Sequence, residues 1–126
     1  MASTDPVIPP LDDLGDALHD LDGFRWLPGI AQILDGIETA ATTPLTADQT
    51  QTMCAVLAGS TGADVLTLIG LLIQRLTTPA TNPALRALPD TQAKAAQAAG
   101  EKAAYLLTAH DLHQPAAEAA GAIDGI

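Results

Sequence analysis

The chain is short of several things at once. Among 126 residues it has one cysteine, three aromatic side chains and five Lys or Arg residues against fifteen Asp or Glu, a formal net charge of −10. A single thiol, Cys54, excludes an internal disulfide framework and a cysteine-based zinc knuckle. Scarce bases argue against direct nucleic-acid binding, because affinity for a phosphate backbone rests on Lys and Arg. The longest apolar run, VLTLIGLLI over 65–73, is nine residues, where a membrane helix needs about 20, so no membrane role is expected. The opening MASTDPVIPP has neither a basic segment nor an apolar stretch, so no secretory signal is read there and a cytoplasmic location is expected. No period repeats along the chain, which leaves a solenoid unsupported.

What remains is rich in Ala and Leu, and 48% of the residues are hydrophobic. Both residues favour helices, while the aromatic residues that fill strands are scarce, so the composition predicts an all-α chain. Area scaling for this length allows about two thirds of the chain surface to be buried, enough for one core. The expected architecture is therefore a single domain, a compact bundle of five to six helices over 11–126, preceded by a flexible arm over 1–10 that carries Pro6, Pro9 and Pro10.

Periodicity and capping signals place the helices. Leu11, Leu14, Leu18 and Leu21 draw an apolar stripe on a helix ending at Gly23, with Asp12, Asp16 and Asp20 as an acidic row on another face. Ile30, Ile33, Leu34 and Ile37 mark a second helix from about Pro28 to Ala41. Thr46 with Gln49 forms a capping-box pattern opening a third helix to Gly59, and Thr61 with Asp64 repeats it before a fourth helix that ends ahead of Pro79. That fourth helix, the most apolar, reads as the central helix of the bundle. Asn82 and Pro83 suit the start of a short turn, Asp90 or Thr91 opens a long Ala-rich helix to Leu112, and Pro115 starts a last one to Ile123. Gly15, Gly36 and Gly70 fall inside helical patterns, where glycine is kept when two backbones touch.

Chemical motifs are few. Asp12, Asp13 and Asp16 match the DDxxD magnesium pattern of isoprenoid synthases, but the chain has no second metal motif and too few aromatics to line such a cavity. Ala58-Gly59-Ser60-Thr61-Gly62 resembles a phosphate loop without its Lys and is better read as a helix start. Neither Ser3 nor Ser60 has the surroundings of an activated nucleophile. His110 and His113, three apart, could present two nitrogens to a metal with His19 as a third ligand; the plainer reading is a polar helix terminus. No catalytic residue and no cofactor are assigned.

The functional expectation follows from surplus apolar content with little charge, which points to contact with another chain. The leading reading is an acidic helical protein acting as a homodimer or as an accessory subunit. Ala99, Ala103 and Leu107 mark one expected contact, and the segment Phe24, Arg25, Trp26 and Leu27 another, unless those aromatics wedge a corner between helices. Two alternatives stand beside it. One is a small helical enzyme or ligand or metal carrier using His110, His113 and His19 in a pocket between helices. The other is an acidic mimic that binds a basic protein, suggested by a net charge of −8 over residues 1–52 against −2 over 53–126.

Overall fold

A computed structural model describes residues 7–60 and 63–124. The described residues are all-α: α1 (Asp13–Asp20), α2 (Ile30–Thr42), α3 (Ala47–Cys54), α4 (Val65–Leu76), α5 (Asp90–Leu107) and α6 (His110–Asp124), with no strand among them. Single 3-10 segments occupy Asp22–Phe24 and Pro83–Ala87, and α3 runs on into a wide π segment over Ala55–Gly59. Of the expected arm, residues 1–6 lie outside the described residues, and 7–10 have no regular structure. No helix among the described residues is long and apolar enough to cross a membrane.

The chain divides into two compact units, Met1–Leu45 and Thr46–Ile126. Between them Thr43 is extended, with φ −93° and ψ 124°. It precedes Pro44, whose ring crowds the helical conformation of its predecessor.

In the first unit, α1 and α2 meet through the turn that joins them, and Leu34 is the buried apolar side chain. Gly29 has φ +84°, a left-handed conformation that opens α2 at Ile30, two residues later than Pro28. The turn is tied by Arg25. Its guanidinium donates from Nε to Asp22 and from Nη1 to Asp35 Oδ1 at 2.8 Å, holding the Asp22 carboxyl below the ordinary range. Gly36 has open space where a Cβ would stand, so the backbone contact expected there is absent.

The second unit is built from two helix pairs. α6 packs along α3 and the π segment, and α4 packs along α5. Small residues set both approaches. A Cβ on Gly59 would lie 3.2 Å from the Ala117 nitrogen, and one on Gly70 would lie 3.3 Å from Ala104 Cα. On α5, Ala93, Gly100 and Ala104 are buried at helical spacing, so Ala and Gly rather than large anchors make this contact.

Capping chemistry follows the sequence closely. Thr46 and Gln49 form the reciprocal capping box, with Thr46 Oγ1 accepting from Gln49 N at 3.1 Å. Asn82 caps the turn at Pro83 through Ala84 N. Before α4 the cap is Asp64 itself, which accepts from Thr67 N at 2.8 Å; Thr61 lies outside the described residues. The long fifth helix stops at Leu107 rather than Leu112: Thr108 leaves the helical conformation at φ −104° and ψ 1°, with its hydroxyl bonded back to the Ala104 and Tyr105 carbonyls. His110 therefore opens α6, and Pro115 lies inside that helix instead of starting it.

Candidate functional site

Two features of the second unit stand out: a buried polar clamp and an uncovered apolar face. They meet on α4.

The clamp joins three helices. Asp64 caps α4, and its carboxylate accepts from the backbone N–H of Thr67 and of Ser60, the latter at 3.1 Å. His113, on α6, is 2% exposed and sets Nδ1 2.5 Å from Asp64 Oδ2. Its Nε2 meets the carbonyl of Leu107, the last residue of α5. Both partners of the ring are acceptors, so an imidazole that satisfies both donates from both nitrogens and is a cation. The Leu107 carbonyl raises the His113 pKa most; burial opposes it, and the hydrogen bond and charge of Asp64 and the Ala58 carbonyl add to the rise. Burial pushes the Asp64 carboxyl up, but hydrogen bonds from Thr67, Ser60 and His113 outweigh it and hold the group below the ordinary range. The carboxylate thus sits at the positive end of α4, where the helix dipole favours it, and the imidazole of His113, in the first turn of α6, meets the negative end of α5 through the Leu107 carbonyl.

This geometry accounts for His113 differently from the metal reading. Both ring nitrogens are engaged, and the ring is sealed from solvent. His110 is exposed on the first turn of α6, and His19 is exposed on α1 in the other unit. Among the described residues no three His, Cys, Asp or Glu side chains are grouped to hold a metal ion. Cys54 is half-buried at the end of α3. An open cleft of about 390 Å³ lies beside α5, between Pro79, Leu85, Arg86 and Lys94. Arg86 donates there to the carbonyls of Pro79 and Ala80, which holds the loop together, and none of the three histidines lines the cleft.

The apolar face is the outer side of α4. Val65, Leu68, Ile69, Leu71, Leu72 and Leu76 are all exposed, with Leu68 at 65%. Val65, Leu68, Ile69, Leu72 and Leu76 follow steps of three, four, seven and eleven from the first, one continuous stripe. The buried side of the same helix carries Thr67 and Gly70. The expectation that α4 is surrounded by neighbours is therefore corrected: Gly70 faces α5, while Leu68, Leu71, Leu72 and Leu76 are exposed.

The residues expected from sequence to meet another chain differ in exposure. Leu107 is half-buried against α4, where its Cβ would lie 3.2 Å from a Cβ on Gly70, so it serves the α4 and α5 packing. Ala99 is exposed and Ala103 half-buried, and the large uncovered residues on α5 are Tyr105 and Leu106. In the first unit Phe24, Trp26 and Leu27 are exposed, Trp26 at 77%, so the tryptophan does not wedge the corner, while the partly covered Arg25 binds Asp22 and Asp35. The outward stripe could have been found from the spacing of Thr67, Gly70 and Gln74, a small and polar row opposite the leucines. The pairing of Asp64 with His113 had no local signal, since 49 residues separate them.

Comparison with known proteins gives no matching family, no matching curated protein and no matching solved structure.

Proposed function

We propose that this chain is a protein-interaction module, working as a homodimer or an accessory subunit, whose contact surface is the outer face of α4. The observation that supports it is the inverted build of that helix, with Gly70 and Thr67 inside and a stripe of Val, Leu and Ile outside. About half of six large side chains stands uncovered there, on the order of 500 Å² of apolar surface, the size at which a patch commonly serves binding. The clamp beneath suits this role, since Asp64 and His113 hold α4 against α5 and α6 without covering the stripe. A half-buried lone thiol suits a reducing compartment, and we place the protein's action in the cytoplasm. The enzyme or carrier reading draws less support, because His113 is already committed on both nitrogens and His19 and His110 stand exposed.

Thiol labelling tests the proposal. In a Cys54→Ser background, Leu68→Cys at high dilution reacts with a maleimide at the rate of an unhindered thiol. A blocked thiol under those conditions contradicts the reading, because the face would then be covered by the chain itself.

A second reading is favoured by one further observation. Residues 1–45 carry eight carboxylates against Arg25 alone, a net charge of −7. Such a unit suits a basic protein partner, and binding of that kind weakens steeply as salt is raised.

A further inference from the structure

We propose that the occupant of the α4 face is a second copy of this chain, packed antiparallel, α4 against α4, about a two-fold axis between Ile69 and Leu72. The inference rests on the reading of α4 as an interface and adds the identity of its partner. Three observations favour it.

The first is self-complementarity. Val65, Leu68, Leu72 and Leu76 follow steps of three, four and four, close to the seam by which one helix packs on another like it. A two-fold axis needs one patch that fits itself, and a straight stripe does so.

The second is charge. The chain carries −10 overall, so two copies repel, yet Val65–Leu76 contains no carboxylate and a single base, Arg75. This is where a second copy meets least repulsion. A basic partner finds no acid on the stripe to pair with, and an acidic partner finds Arg75 alone. Arg75 also sets the direction, because it is exposed near the C-terminal end of α4. Parallel pairing would place two guanidinium groups side by side and align the two helix dipoles; antiparallel pairing separates the charges and opposes the dipoles.

The third is area. Two such faces together bury at most about 1,000 Å², the floor for a biological contact, which fits a dimer that comes apart on dilution.

Light scattering on the full chain across a dilution series tests the proposal. At high micromolar concentration the mass is twice 12.8 kDa, and it falls to 12.8 kDa on dilution. Leu68→Glu with Leu72→Glu halves the mass at the same concentration with the helical signal retained, and Trp26→Ala leaves the dimer intact. In a Cys54→Ser background, a short bis-maleimide joins Leu72→Cys chains but not Leu76→Cys chains, whose copies lie about 16 Å apart along the antiparallel axes. Equal cross-linking at both positions overturns the antiparallel arrangement. A mass of 12.8 kDa at every concentration, with Leu68→Cys still labelled freely, overturns the second copy and leaves the interface to a different protein. A Leu68→Cys thiol blocked in the monomer overturns both readings. Should the double glutamate variant lose its helical signal, cross-linking at Leu72→Cys decides.

Discussion

Along the inner face of α4 the residues are small or polar, with Thr67 and Gly70 buried and Gly70 close against Ala104 of α5, while six Val, Leu and Ile side chains of the same twelve residues stand in the open. A soluble helix ordinarily does the reverse and hides its large apolar residues. Small residues let two backbones approach, so the internal contact is close but contributes little buried area per residue. Cohesion must then come from somewhere else, and the N-terminal end of α4 supplies it. Asp64, His113 and the Leu107 carbonyl form a buried polar knot that joins α4, α5 and α6. The lesson of the contrast is a division of labour: the inside of α4 is held by geometry and hydrogen bonds, which leaves the leucines available for contact.

The largest expected effect comes from cutting the knot. Asp64→Ala removes the cap of α4, itself worth about 1–2 kcal/mol, and leaves the buried His113 ring without its carboxylate. The loss of stability should exceed that of the cap alone, read as a fall in the thermal midpoint. Close packing is tested next. A Cβ on Gly100 would lie 1.7 Å from Thr77 Oγ1 and 2.6 Å from its Cβ, so the two helices must separate. Gly100→Ala should cost about 1–3 kcal/mol in denaturant unfolding, despite the better helix propensity of Ala.

The knot also predicts a pH dependence with a definite sign. His113 has its pKa raised on folding, so its contribution is complete below about 6.5, the unfolded value, and is lost as pH climbs through the folded one. Asp64 has its pKa lowered, so its contribution is present above about 3.9 and is lost as pH falls through the folded value. Stability should peak in the mildly acidic range between them and decline above neutrality, and His113→Gln should flatten that alkaline decline in urea titrations. Trp26→Ala should have the smallest effect, within about 0.5 kcal/mol, because most of the ring is already in water. A larger loss would mean that the first unit depends on its aromatic corner.

Much of the fold was legible in the sequence because the signals were local. Thr46 with Gln49, and Asn82 with Pro83, mark helix starts through side chains that reach only two or three residues ahead. The boundary between α5 and α6 is harder to read: Pro115 looks like a helix start, yet α5 ends at Leu107 and α6 is already under way at His110. What decides the candidate site is not local. The Asp64 and His113 pair spans 49 residues, and its value depends on burial that no spacing reports. The orientation of α4 was hard to read because an apolar stripe ordinarily turns inward, and composition alone does not say which side a neighbour takes. Gly70 held that information, since a glycine between leucines marks the side where another backbone passes.

The account depends most on the leucines of α4 being outside the fold of the single chain. The most direct test is the unfolding free energy of Leu68→Glu with Leu72→Glu, measured at a dilution where the parent chain is monomeric. Leu68 is 65% and Leu72 48% exposed, so only their covered parts are lost and the account predicts a destabilisation of no more than about 2 kcal/mol. A loss of several kcal/mol, the cost of placing charge in a packed core, would contradict it.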